Sequence, residues 1–179
     1  VHRFDDGGWV ATADTDGNQV SVVTALIGIG LGGMGMASVQ KEIIIEVNAA
    51  EVWAVIGDFV EGPVRMAPGF VTGSRLDEPD VRVVTFANGT VLRERLIALD
   101  DEARRFAFSV IGGTMQPTHD NASMQVFADG ADRSRFVWIH DLQPDDLAAT
   151  IGAGMDHGLS IFKQTLESRI EDPSTRADT

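Results

Sequence analysis

Ile151, Met155, Leu159, Phe162, Leu166 and Ile170 recur at spacings of four, four, three, four and four, which is one apolar stripe along a helix. Asp156, Ser160, Lys163, Gln164, Glu167 and Glu171 fall on the opposite, wetted side, with Lys163 and Glu167 as an i,i+4 pair. The pattern predicts a helix over Asp145–Ile170. Pro144 opens it, Asp145 and Asp146 place carboxylates at the positive end of its dipole, and Pro173 stops it. At 1.5 Å per residue it runs roughly 39 Å, enough to cross a small domain. Gly152, Gly154 and Gly158 interrupt it, each at about 1 kcal/mol against alanine. Either the helix packs closely on a sheet there, or something fits beneath it.

Upstream the period changes to that of strands. Val39–Val47 has the β-branched density of a strand. Asn48 then caps a short helix over Ala49–Ile56, with Glu51 as the capping-box partner and Gly57 at the stop. Phe59–Met66 holds a second helix broken by Gly62-Pro63, and Ala67-Pro68-Gly69 turns the chain. Strands follow at Phe70–Asp77, Val81–Phe86, Val91–Ala98, Arg105–Ile111, Asn121–Ala128 and Ser134–Asp141. Turn residues separate them, and Asn88-Gly89 is the strongest hairpin signal. Consecutive hairpins make the sheet antiparallel. Seven strands, two short helices and one long helix define an α+β fold. A curved sheet around so long a helix encloses a cavity unless large side chains fill it.

Residues 1–35 read differently. Polar turns around Asp5-Asp6-Gly7-Gly8 and Asp14–Asn18 precede an apolar run, Val20–Leu31. That run is too short and glycine-rich to span a bilayer, and it lacks the basic flank of a secretory signal. Gly28-Ile29-Gly30-Leu31-Gly32-Gly33 matches a dinucleotide fingerprint literally, but a strand-like stretch follows where a helix is required. The expected organisation is an extension over 1–35 outside the core, a single domain over 36–172 and a tail over 173–179.

Composition removes several function classes. The formal net charge of -13 repels nucleic acid and anionic membrane. The absence of Cys excludes disulfides, thiolate nucleophiles and Cys-based metal sites, and is compatible with a cytoplasmic location. Tyr is also absent, which removes it as a general acid.

The order of elements resembles the helix-grip fold of the START and birch-pollen-allergen (SRPBCC) superfamily, and within it the bacterial polyketide cyclase/dehydrase-like and lipid-transport proteins. The likeness covers about Ser38–Ser168. Glu94-Arg95-Leu96, Leu99-Asp100-Asp101-Glu102 and Phe108–Gly113 are similar to the corresponding strands of plant abscisic-acid receptors. That resemblance implies a gate at Ala87-Asn88-Gly89-Thr90, a latch at Thr114-Met115-Gln116-Pro117 and a Glu94 pointing into the cavity. The receptors' gate sequence and latch His-Arg are missing, and their cavity lysine falls near Glu61, an acid. The resemblance argues for a pocket and not for hormone binding.

Among the candidate chemical groups, Glu94 shares a strand face with Leu92 and Leu96, while Val91, Arg93 and Arg95 take the other. Apolar neighbours would desolvate its charged form unless a cation reaches it. Such a carboxylate suits proton abstraction next to a carbonyl; the alternative is a cross-strand ion pair in an open part of the sheet. Of His140 and Asp141, one faces inward, and His140 there would orient or protonate a ligand oxygen. Trp138 is pocket wall or core. The His119-Asp120 and Asp156-His157 neighbours point to opposite faces and do not chelate as pairs, so no metal and no cofactor is expected. Ser109 and Ser160 lack a nucleophile-elbow context. Arg65 is a candidate cation at the cavity mouth.

The expected function is binding of a lipid-, polyketide- or isoprenoid-like molecule between sheet and long helix, gated by the Asn88-Gly89 hairpin and the Gly112-Gly113 turn. Phe59, Met66, Asn88, Leu92, Glu94, Trp138, Met155, Gly158 and Phe162 are the expected ligand-binding residues. Met66, Phe70, Met115, Met155 and Phe162 read equally as core, although Met suits a deformable apolar pocket. Two readings compete: a polyketide cyclase or dehydratase using Glu94 and His140, and a partner-binding subunit without a ligand. The expected partner is a hydrophobic small molecule, without nucleic acid or membrane insertion; a homodimer is left open.

Overall fold

The computed structural model describes residues 21–25 and 35–171. In chain order the elements are β1 (Ser21–Ala25), β2 (Ala37–Ile45), α1 (Ala49–Ile56), α2 (Gly62–Met66), β3 (Val71–Glu78), β4 (Val81–Phe86), β5 (Val91–Asp100), β6 (Arg105–Gly113), β7 (His119–Ala128) and β8 (Ser134–Gln143). A 3-10 turn over Asp145–Leu147 leads into α3 (Ala148–Glu171). The strands form one antiparallel sheet in the order β1-β2-β8-β7-β6-β5-β4-β3. This is the α+β helix-grip architecture, with the seven expected strands and both short helices in place.

Most boundaries shift by one to three residues from expectation, and two of the differences change the architecture. The strand before α1 begins at Ala37, not Val39, and it is not the edge of the sheet. Ser21–Ala25 pairs with it, Ser21 opposite Glu42 and Ala25 opposite Ser38. Val22, Val23 and Thr24 supply the β-branched character this requires, and the pairing covers a ladder that would otherwise be open. The second short helix contracts to Gly62–Met66 because Pro63 lacks an N–H and is tolerated only in a first turn. The G-x-G-x-x-G match and the tail from 173 lie outside the described residues.

Asn48 caps α1 as the sequence requires, its Oδ1 accepting from the N–H groups of Ala50 (3.1 Å) and Glu51 (3.0 Å). Asn48→Ala should lower unfolding free energy by about 1 kcal/mol, visible as a shifted urea midpoint at constant slope.

Two register shifts between β5 and β6, at Arg93/Glu94 and Leu96/Ala98, insert extra residues of the kind that bend a strand and increase its twist. The helix stripe Ile151, Met155, Leu159, Phe162 and Leu166 is buried throughout, and Phe162 meets Phe136 edge-on at 5.6 Å. Polar contacts fasten α3 along β2. Lys163 Nζ donates to the Ile44 carbonyl (2.7 Å) and pairs with Glu167 Oε1, which also accepts from the Glu46 N–H (2.9 Å). Asp156, exposed as expected, reaches back to the buried Lys41 of β2 at 2.8 Å. The helix is therefore tied down on one side. Its other side faces open space.

Candidate functional site: a cavity between sheet and helix

That space is a cavity of about 300 Å³ between the concave face of β4–β8, α2 and the first half of α3. The glycines of α3 divide their roles around it. A Cβ at Gly152 would meet Val39 of β2 at 3.6 Å, so this glycine serves helix-to-sheet contact. Gly154 and Gly158 line the cavity, and a Cβ at Gly154 would have nothing within 4 Å.

Of the expected ligand-binding residues, Met66, Asn88, Leu92 and Glu94 line this space. Trp138, Met155 and Gly158 complete the set that the fold brings together there. Phe59 and Phe162 do not join them. Phe162 is wholly buried in the core beneath Phe136, because its helix position points at the sheet instead of the opening. Phe59 stacks on a guanidinium behind the cavity wall. Arg65 is exposed and stands 3.8 Å from Asp58, outside the cavity, and Glu61 is likewise exposed.

The cation of the cavity is one that the sequence reading overlooked, Arg82 of β4. It lies directly opposite Glu94 in the β4–β5 ladder. Its Nε donates to Glu94 Oε2 at 2.7 Å, and Nη2 stands 2.7 Å from the same oxygen. Its Nη1 donates to the Phe59 carbonyl, and its Cζ lies 4.4 Å from the Phe59 ring centre. Both side chains are over nine-tenths buried. Glu94 thus points inward as expected, but a cation reaches it, and its setting is a buried ion pair instead of a lone carboxylate among leucines. The outward-facing Arg93 makes the contrasting, solvated arrangement. It bonds Asp77 (2.8 Å) and Glu78 (2.9 Å), and its hydrogen bond holds the Asp77 carboxyl below the usual carboxylate range.

His140, not Asp141, is the inward residue of β8, on the same face as Phe136, Trp138 and Leu142. Its Nδ1 lies 3.1 Å from Oδ2 of Asp120, a second buried residue that the sequence reading left unassigned. Asp120 sits where β6 and β7 part: their ladder ends at Phe108–Ala122. Beyond that point its Oδ1 accepts from the Val110 N–H (2.7 Å) and its carbonyl accepts from Ser109 Oγ (2.7 Å). The carboxylate therefore repairs the splayed sheet and orients the imidazole in one step. Nδ1 faces the carboxylate, and Nε2 is the nitrogen left for the cavity. Phe108 separates the two polar pairs, 5.3 Å from the Arg82 Cζ and edge-on to His140 at 5.8 Å.

The rim is formed by Asn88 and Thr90 of the β4–β5 hairpin, Thr114 and Met115 beyond β6, and Thr150 of α3. The hairpin and the following loop are bonded to each other: Thr114 N–H donates to the Val91 carbonyl (2.7 Å), and the Val91 N–H donates to Thr114 Oγ1 (3.0 Å). Gly113 permits this contact. Its φ is 110°, and a Cβ would sit 2.1 Å from the Val91 oxygen. His119 and His157 are exposed, and no cluster of three metal-ligating side chains occurs among the described residues. No described helix is long and apolar enough to cross a membrane.

A curved sheet gripping a helix over an apolar cavity with a few buried polar pairs defines a helix-grip small-molecule pocket. The sequence profile for polyketide cyclase/dehydrase and lipid transport matches residues 36–167, and the chain belongs to that family. Among solved structures it is similar to an uncharacterised protein from Bacillus thuringiensis, at 19% identity and a TM-score of 0.65 over 72% of this chain and 97% of that one. It is similar also to the ZhuI aromatase/cyclase from Streptomyces sp. R1128, at 20% identity and TM-score 0.61 over 75% and 96%. The di-domain aromatase/cyclase BexL of the BE-7585A biosynthetic pathway matches at 17% identity and TM-score 0.64 over 75% and 48%. At these identities the likeness shows the fold. A search of curated protein sequences finds no match.

Proposed function

We propose that the protein binds a largely apolar, cyclic or polyketide-like small molecule in the cavity between sheet and α3. The observation that carries this reading is the cavity itself: about 300 Å³ of space walled mainly by apolar side chains, with Gly154 leaving open space at its wall. A fold filled for stability alone would place a larger residue at Gly154 and gain helix propensity by doing so. Native mass spectrometry of the purified protein, followed by denaturing extraction, tests the proposal. A small hydrophobic mass released on unfolding is the expected result. Failure to bind any of a panel of aromatic and aliphatic ligands at millimolar concentration would overturn it.

A second reading, acid–base catalysis on the bound molecule, is favoured by His140 at the cavity wall, backed by the buried Asp120. An imidazole whose Nδ1 is fixed by a carboxylate presents Nε2 for proton transfer to or from a ligand carbon or oxygen. If the extracted compound is turned over, His140→Gln should lower kcat by about 100-fold or more, the usual share of a general base. Asp120→Asn should lower it less, with the fold checked by circular dichroism. Unchanged turnover in His140→Gln would retire this reading and leave binding intact.

A further inference from the structure

The ionisable side chains of the cavity wall are Arg82, Glu94 and His140 among the described residues. Their pairing fixes what charge a ligand can carry. The Arg82 cation is neutralised in place by Glu94. The nearest further buried cation, Lys41, does not border the cavity and is held by Asp156 at 2.8 Å. A carboxylate or sulfonate entering this space would meet no free cation. It would also lie beside Glu94 in a poorly screening medium, where like charges repel strongly.

The hydrogen-bonding groups left over are equally specific. Arg82 approaches Glu94 through Oε2, by both Nε and Nη2. Oε1 accepts no hydrogen bond among the described residues, although Glu94 is 6% exposed and borders the cavity. It is a strong acceptor on a residue that borders the cavity, with room for a donor to reach it. At the other polar station, Trp138 Nε1–H is buried without a partner, and the indole lies 5.7 Å from the His140 ring. That is an unmet donor. Between the two stations lies the face of Phe108.

We infer that the cavity selects uncharged ligands bearing a hydroxyl donor, seated on Glu94 Oε1, and rejects organic carboxylates of the same shape. The inference rests on the cavity being a ligand site and adds the chemistry of its occupant: a hydroxylated, aromatic or alicyclic neutral molecule, not a fatty or aromatic acid.

Three probes of one shape test it by isothermal titration calorimetry at neutral pH: 2-naphthol, 2-methoxynaphthalene and 2-naphthoate. The wild-type protein should bind 2-naphthol about tenfold or more tightly than either of the others, as expected for a hydrogen bond to a charged acceptor. In Glu94→Gln the amide oxygen faces Arg82 and its NH₂ faces the cavity. The advantage of naphthol over the ether should then shrink to about twofold or less, while naphthoate gains from the exposed Arg82 charge. Naphthoate binding as tightly as naphthol to the wild type, or ether and naphthol binding alike, overturns the inference and leaves the cavity reading standing. If none of the three binds, the inference falls, and the wider panel of aromatic and aliphatic ligands decides the cavity reading. The wild-type series decides the matter even if Glu94→Gln does not fold.

Discussion

Arg82→Ala should destabilise the protein by about 3–5 kcal/mol, the largest loss expected from any single polar substitution here. The substitution removes more than a charge. Glu94 would keep its place opposite position 82 on the inner face, buried, with the cation bonded to its Oε2 gone. The Phe59 carbonyl would lose its donor, and the Phe59 ring would lose the guanidinium stacked on it. Removing one member of a buried pair strands the other, whereas removing both need not. The double variant Arg82→Met with Glu94→Leu should therefore recover most of the loss. Urea unfolding of the three variants measures this directly, provided the slopes agree. A cost below about 1 kcal/mol for Arg82→Ala would mean that Glu94 is hydrated, and that the pair behaves like an exposed one. The same double variant should also lose any preference among ligands for a hydroxyl donor, because Leu at 94 offers no acceptor.

The helix-grip frame was legible because its elements carry strong periodic signals. The stripe from Ile151 to Leu166 could bury only one face, and the turn residues between strands fell where hairpins close. Glu94 was legible as an inward residue for the same reason. Its partner was not, because register depends on loop length. A two-residue Asn88-Gly89 turn would set Ala87 against Thr90, and so Arg82 against Arg95. The actual loop has three residues, with Gly89 in the left-handed region at φ 86° and Phe86 bonded to Thr90 at 2.9 Å. That single added residue moves Arg82 onto Glu94. Asp120 was hidden for a different reason. Its contact with His140 is diagonal across β7 and β8, and its bond to Val110 exists only because β6 parts from β7 after Phe108. Neither strand's own pattern encodes that gap. The eighth strand escaped because its polar and glycine-rich surroundings read as an extension, although Ser21–Ala25 has the composition to pair.

Gly154→Leu should abolish ligand binding, weakening it at least about 100-fold, or about 2.8 kcal/mol, while leaving the protein as stable as before or more so. A Cβ at this position on the cavity wall starts in open space and meets no atom of the fold within 4 Å. Leucine also removes the helix penalty of glycine, about 1 kcal/mol, and covers apolar wall that is otherwise in contact with water or ligand. Gain of stability with loss of binding is an unusual combination, and it separates a functional void from a packing defect. The neighbouring glycines supply the controls. At Gly152 a Cβ already touches Val39 at 3.6 Å and lies 4.0 Å from Lys41 Cε, and at Gly158 it touches Phe70 at 3.7 Å. Leucine at Gly152 should therefore destabilise by about 1–3 kcal/mol through overpacking against β2. Thermal melts and titration with a bound probe, run on all three variants, read both quantities. If Gly154→Leu binds as the wild type does, the ligand lies elsewhere, and the opening beside α3 is not where this protein holds it.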